Sequence, residues 1–146
     1  GQSQMGSEAT GALRAVGLAT AASGLALESL ADHQKSRFKR DHPTSFCSVG
    51  LFSWVRCPNY LGEIAVWVGS FIAGIPFYAS ALHWGLATVG LVCIVLIMVG
   101  STRRLELSQE RRYGDQPAFQ LYARQVPVLV PYTKLYSLKN ARLYLG

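Results

Sequence analysis

The middle of this chain has almost no charge. From Cys57 to Thr102 the sequence contains no lysine or arginine, and Glu63 is its one carboxylate. The surface of a water-soluble domain needs charged side chains at a higher density than this, whereas the hydrocarbon core of a bilayer excludes them. Half of the residues are hydrophobic. The sequence therefore predicts an integral membrane protein.

Cysteine is scarce, and histidine does not cluster. The three cysteines are Cys47, Cys57 and Cys93, and an odd number at these spacings is neither a disulfide framework nor a zinc-ligand pattern. The three histidines likewise have no partners at metal-ligand spacing. The sequence therefore predicts reduced thiols and no metal site.

Positive charge lies on both sides of the uncharged stretch. The net charge is +6, and basic residues cluster before the stretch, from Lys35 to Arg56, and after it, from Arg103 to Arg112. A helical hairpin would bring both clusters to one membrane face, in agreement with the positive-inside rule. Anionic lipid headgroups or the phosphates of a cofactor suit such a face. We therefore expect membrane lipids as partners, and no nucleic acid.

The apolar pattern predicts an all-α membrane protein with two to three transmembrane helices and interfacial amphipathic helices. Residues 1–10 are polar and are expected to be extended or disordered, and residues 11–146 are expected to form one membrane domain. A helix over residues 11–40 is rich in Ala and Gly, which allow close contact between helices. A loop over residues 41–60 is expected to lie in the membrane interface, and Pro58 suits the first turn of the next helix.

The uncharged stretch predicts two membrane crossings. Pro76 predicts a kink in the first crossing, and His83 and Trp84 are expected to form a tight turn. The apolar run from Gly85 then predicts the return crossing. From Thr102 onwards, aromatic residues among basic ones predict short interfacial helices.

Three blocks of sequence, in this order, carry a resemblance to a known family. They are "ESLADHQKSRF", "GLFSWVRCPNYLGEIAVWVG" and "LELSQERRYGDQPAFQLYARQVPVLVP", and they lie between Glu28 and Pro131. The chain resembles the steroid 5α-reductase C-terminal superfamily, which includes the DUF1295 proteins and the sterol C14/C7 reductases. The central block is similar to the family pattern Ser-Arg-His-Pro-Asn-Tyr-Phe-Gly-Glu, with a Trp one helical turn further on.

In those reductases the matching half of the protein binds NADPH, and the resemblance implies the same cofactor here. The matching positions would line the cofactor pocket, and they are Asp32, Lys35, Arg56, Asn59, Tyr60, Glu63, Glu106, Arg112, Tyr113 and Tyr122. Arginine offers a bidentate fork for phosphates. The resemblance implies hydride transfer from nicotinamide to a polarised C=C bond, and it assigns no catalytic residue in this chain.

The chain also departs from the family pattern. Cys57 stands where the family has histidine, and Val126 replaces a common threonine. A thiol is a weaker hydrogen-bonding group than imidazole. The reductases also have several more membrane helices before the position of Glu28, and those helices enclose the substrate. We therefore expect that the chain alone is not a working reductase.

Three functions follow as hypotheses. In the first, the chain is a non-catalytic accessory or scaffolding subunit among other subunits of a larger membrane complex of respiratory type. The small, acid-poor N-terminal stretch then favours the mitochondrial inner membrane over the endoplasmic reticulum. In the second, the chain is part of an NADPH-dependent reductase of a lipid or sterol, and a partner supplies the missing helices. In the third, it is similar to the isoprenylcysteine carboxyl methyltransferases of the same superfamily, which use S-adenosylmethionine.

Overall fold

The computed structural model describes residues 2–140, and within that range the chain is helical and contains no β-strand. Its elements are α1 (Gln2–Asp41), a 3-10 turn (Gly50–Ser53), α2 (Pro58–Gly74), a second 3-10 turn (Ile75–Phe77), α3 (Ala81–Tyr113) and α4 (Pro117–Gln125). Three of the helices, α1, α2 and α3, are long and apolar enough to cross a membrane. The predicted all-α integral membrane protein is confirmed.

Helices α1 and α2 pack closely because glycines face each other. Gly17 lies against Gly69 and Gly24 lies against Gly62, so the two helices run antiparallel. A Cβ on Gly17 would come within 2.5 Å of the Gly69 carbonyl oxygen, and a Cβ on Gly62 within 2.5 Å of the Gly24 carbonyl oxygen. Small residues of this kind let helix backbones approach in a membrane. The predicted close contact of the Ala- and Gly-rich helix is therefore observed.

Helix α1 begins earlier than the sequence pattern indicated. It starts at Gln2, so residues 2–10 are helical, and the prediction of an extended or disordered segment is wrong there. No proline interrupts this segment, and Gln, Met, Glu and Ala all have good helix propensity. Because helix propagation is favourable once a nucleus exists, the apolar part of α1 extends through its polar neighbours.

The connection between α2 and α3 also differs from the prediction. Helix α2 ends before Pro76, which lies in the second 3-10 turn and not at a kink. Proline has no N–H, and its ring clashes with the preceding helical turn. Helix α3 is capped by the hydroxyl of Ser80, which accepts a hydrogen bond from the His83 N–H at 3.3 Å. His83 and Trp84 therefore lie in the first turn of α3, and the tight turn precedes them.

Helix α3 continues beyond the bilayer. Its 33 residues span about 50 Å, whereas the hydrocarbon core is about 30 Å thick. The segment from Thr102 to Tyr113, expected to form short interfacial helices, is instead the end of α3, because no proline or glycine interrupts it. Helix α4 alone is a short, separate helix of the predicted kind.

The buried side chains gather at one end of the helices. Since successive helices run antiparallel, this end contains the last turns of α1, the first turn of α2 and the last turns of α3. Two apolar clusters lie there, namely Ala31, Cys47 and Phe52 in one and Cys57, Val128 and Leu129 in the other. Both basic sequence clusters are also at this end, which we call the basic end. The hairpin prediction is correct on this point.

Candidate functional site

The predicted site residues all lie at the basic end, but they form three groups and not one pocket. The groups are Arg56 with Glu106; Asp32 with Asn59, near Tyr60 and Glu63; and Lys35 with Arg112 and Tyr113, near Tyr122. Each group joins residues from at least two helices or loops. Their assignment to a cofactor remains a prediction.

Arg56 and Glu106 form a buried ion pair. The Arg56 Nη2 atom lies 3.2 Å from Glu106 Oε1, and the two side chains are 4% and 5% exposed. The Arg56 guanidinium also donates to the carbonyl oxygens of Val126, at 3.3 Å, and of Tyr136. The second Glu106 oxygen accepts the Leu138 N–H at 2.7 Å. Buried charges need such partners. The partners of this pair belong to the segment that follows α4, so the pair attaches that segment to α3.

We call residues 126–139 the C-terminal segment. Its backbone pairs with the entrance of α2: the Arg56 N–H donates to the Pro127 carbonyl at 2.9 Å, and the Cys57 N–H donates to the Val128 carbonyl at 3.1 Å. Cys57 is 2% exposed, and burial raises the pKa of its thiol to about 12. The thiol is therefore neutral at physiological pH, unlike a histidine, which can carry charge there.

A cavity that we call the large cavity lies at the basic end, between α3, α4 and the C-terminal segment. Its volume is about 530 Å³, and Arg56 and Glu106 are the predicted site residues that line it. Phe119 and Arg124 line it from α4. This volume is within the range of small-molecule sites in proteins.

A second, smaller cavity separates the ends of α1 and α3. Its volume is about 50 Å³, and its polar lining includes Lys35, Lys39, Arg112 and Tyr113, which we call the cation notch. The Lys39 ammonium donates to the Tyr113 hydroxyl at 2.6 Å and to the Ser45 carbonyl at 2.5 Å. No carboxylate of the described residues lines this cavity. The notch is therefore a concentration of uncompensated positive charge.

An aromatic cluster lies between the two cavities. The Phe46 ring centroid is 5.7 Å from that of Tyr113, 5.2 Å from Phe119 and 5.4 Å from Tyr122. The Tyr122 hydroxyl donates to the Phe52 carbonyl at 2.6 Å, and burial raises the Tyr122 pKa above its ordinary value. Tyr122 is thus a neutral, structural member of this cluster.

One face of α1 connects the cation notch to the membrane boundary. Asp32, Lys35 and Lys39 follow the spacing i, i+3, i+7 and so share that face. At its membrane end the Asn59 side chain donates to Asp32 Oδ1 at 3.3 Å. Glu63 lies half-buried one turn further along α2. This face therefore joins two of the three groups of predicted residues.

The sequence interpretation missed several residues of these sites. Lys39 could have been found, because it lies one helical turn after Lys35. Tyr136 and Lys139 line the large cavity, and Lys139 pairs with Glu110 at 3.0 Å. No local pattern identifies these two, since their positions depend on the C-terminal segment folding back over α3.

Comparison with known proteins places this architecture in a family. Residues 2–126 match the family model described as a protein of unknown function, DUF1295. The chain belongs to the DUF1295 family. The match includes all the predicted site residues and ends where the C-terminal segment begins, so the resemblance to DUF1295 proteins is confirmed.

A curated relative of this DUF1295 protein is an uncharacterized protein of Schizosaccharomyces pombe (strain 972 / ATCC 24843). The two are 33% identical over 99 residues, which make up 65% of this chain and 27% of the relative. The chain thus aligns with about a quarter of the relative's length. No solved structure matches the chain.

Proposed function

We propose that this DUF1295 protein binds NADPH at its basic end, as the cofactor-binding part of a membrane reductase that acts on a C=C bond of a lipid or sterol. The observation that carries the proposal is the cation notch. Three of the residues named from the family resemblance, Lys35, Arg112 and Tyr113, come together there from two helices.

The notch suits a phosphate group in charge. A phosphate presents several strong acceptor oxygens, and the notch offers the ammonium groups of Lys35 and Lys39 and the guanidinium of Arg112. Among the described residues, ion pairs join Arg56 to Glu106 and Lys139 to Glu110, so the cations of the notch have no carboxylate within 4.0 Å. A phosphate would supply the missing negative charge.

The adjoining face of α1 favours a dinucleotide, and not a single phosphate, as the ligand. From Lys39 to Asp32 this face extends about 10 Å towards the bilayer. A dinucleotide with a phosphate in the notch would extend along it towards Asn59 and Glu63, beside the hydrocarbon core. When bound, NADPH supplies a hydride, and Asn59 and Glu63 would orient its reactive end. The lipid or sterol would bind to further helices, supplied by a partner.

The test is an NADPH titration of the purified protein in lipid nanodiscs, followed by nucleotide fluorescence. We expect Lys35→Gln and Arg112→Gln each to weaken NADPH binding about 10- to 100-fold, because the loss of one charge-assisted hydrogen bond changes the affinity by about this factor. The matched controls are Arg37→Gln and Arg111→Gln, which remove equal charge from exposed neighbouring positions. They should change the affinity little.

Two results would contradict this assignment. If the control variants weaken binding as much as the notch variants, the nucleotide is attracted by net charge and the notch is not its site. If the wild-type protein in nanodiscs binds no NADPH, the cofactor proposal fails, and the second candidate function gains weight.

That second candidate is a non-catalytic accessory subunit of a larger membrane complex, with the mitochondrial inner membrane as its expected location. The buried Arg56–Glu106 pair favours it, because both side chains are fully engaged in holding the C-terminal segment. Extraction in a mild detergent, followed by mass spectrometry of proteins and bound nucleotides, separates the two candidates. A stoichiometric complex without NADP(H) supports the accessory function, and bound NADP(H) argues against it.

A further inference from the structure

The C-terminal segment exposes a turn of apolar and aromatic side chains. In this turn, Val130 to Leu135, Tyr132 is 92% exposed and Val130 is 42% exposed. Lys134 is exposed beside them. Apolar side chains that cluster on a protein surface mark an interaction site.

The turn points towards the membrane. Pro127 and Val128 pair in succession with Arg56 and Cys57, so the C-terminal segment runs parallel to the chain as it enters α2. The turn follows directly, and the chain returns at Leu135, whose carbonyl accepts the Val128 N–H at 3.0 Å. The tip of the turn therefore extends in the direction in which α2 enters the bilayer.

The base of the turn already contacts a membrane-spanning helix. The apolar cluster that includes Val128 and Leu129 packs against Leu61 and Ile64, which belong to the spanning segment Pro58–Phe77. The tip is thus continuous with the surface that this helix presents to lipid.

The conformation of the turn presents Tyr132 outwards. Tyr132 has φ of 61°, a left-handed conformation that an aromatic residue rarely adopts. The Thr133 hydroxyl holds the turn, since it donates to the Val130 carbonyl at 2.7 Å and accepts the Leu135 N–H at 3.4 Å. The Tyr132 ring lies 6.2 Å from that of Trp54. Tyrosine and tryptophan together are typical of the membrane–water interface.

We infer that the turn Val130 to Leu135 is a membrane anchor, whose occupant is the headgroup region of the bilayer. Val130 and the Tyr132 ring lie at the boundary between headgroups and acyl chains, and Lys134 binds anionic headgroup phosphates. The anchor holds the C-terminal segment, and with it the large cavity, at the membrane surface. This inference does not depend on whether the chain binds NADPH.

The test measures the depth of a fluorescent label in nanodiscs. Tyr132→Cys and, separately, Val130→Cys are labelled with the environment-sensitive fluorophore NBD in a Cys93→Ser background. Cys47 and Cys57 are only 8% and 2% exposed, so the background protein should take up little label. Asp115→Cys, at the exposed turn between α3 and α4, is the aqueous control. Doxyl-labelled phosphatidylcholine quenches from the lipid, and iodide quenches from water.

We expect labels at positions 130 and 132 to show blue-shifted emission, quenching by doxyl lipid and protection from iodide. The label at position 115 should show the reverse. Phosphatidylglycerol in the nanodisc should increase the inserted fraction, and Lys134→Gln should reduce the inserted-to-withdrawn ratio about fivefold. If iodide quenches positions 130 and 115 equally, the inference is wrong. Protection from both quenchers overturns it as well, because a protein would then cover the turn.

Discussion

Replacing Glu106 by leucine should detach the C-terminal segment from the rest of the protein. The carboxylate compensates the charge of Arg56, at 3.2 Å, and accepts the Leu138 N–H, at 2.7 Å. Glu106→Leu leaves the guanidinium buried without a counter-charge and the N–H without an acceptor. The segment can relieve both costs by moving away and admitting water.

The magnitude follows from the burial of the pair. Both side chains are at most 5% exposed, and removing one partner of such a pair costs about 3–5 kcal/mol. If this cost is relieved by detachment, the detached population should rise roughly 100-fold or more. Glu110→Gln is the matched control, because the Glu110–Lys139 pair is 51% and 36% exposed and such pairs contribute about 0–1 kcal/mol.

The alkylation rate of Cys57 by N-ethylmaleimide reports this detachment. Cys57 packs against Val128 and Leu129, so reagent reaches its sulfur only when the segment lifts. We expect Glu106→Leu to accelerate alkylation roughly 100-fold or more, measured by mass spectrometry of the Cys57 peptide. Cys47, in the other apolar cluster, should react at a nearly unchanged rate.

Two outcomes would refute this reasoning. An acceleration at Cys57 no larger than that of Glu110→Gln would mean that the ion pair does not hold the segment. Equal acceleration at Cys47 and Cys57 would mean that the whole protein unfolds, so that the effect is not confined to the C-terminal segment.

The remaining predictions concern helix packing and pH. Gly24→Val should lower the free energy of unfolding by about 1–3 kcal/mol, because its Cβ would lie 2.7 Å from the Val66 nitrogen. Gly90→Val is the control and should change this free energy little, because a Cβ there would meet open space. Thermal unfolding in detergent compares the two variants, and equal losses of stability would contradict the packing of α1 on α2. Burial raises the pKa of the Cys57 thiol from its ordinary value near 9 to about 12. The stability that the neutral thiol contributes is therefore complete below about pH 9 and is lost as the pH rises towards about 12. The total loss of stability is on the order of 4 kcal/mol. Cys57→Ala should flatten the fall in melting temperature between about pH 8 and about pH 11, and an unchanged slope would contradict this.

The membrane-spanning part could be predicted because its signals are local. A bilayer excludes charge from every lipid-facing position, so the uncharged stretch after Cys57 identified the crossings without knowledge of the fold. Pro58 likewise marked the start of α2, where the structure has it in the first turn. The errors at Pro76 and at His83 are errors of a few residues in where a helix stops.

The basic end could not be predicted in detail because its contacts join distant parts of the chain. Arg56 and Glu106 are 50 positions apart, and no periodicity in either segment indicates that they meet. In the sequence, the acidic residue nearest to Arg56 is Glu63, near the start of α2. The structure instead pairs Arg56 with α3, because the C-terminal segment folds back and buries both charges.

This pairing changes how Arg56 contributes to either proposed function. A phosphate that bound directly to Arg56 would have to replace Glu106 or the carbonyl of Tyr136, and each replacement would leave a buried polar group without its partner. Binding at the cation notch has no such cost, because Lys35 and Arg112 have no carboxylate to give up. In a cofactor-binding protein the notch would therefore supply the affinity, and Arg56 would act by positioning the segment that forms the wall of the large cavity. In an accessory subunit the same pair would have only this structural task.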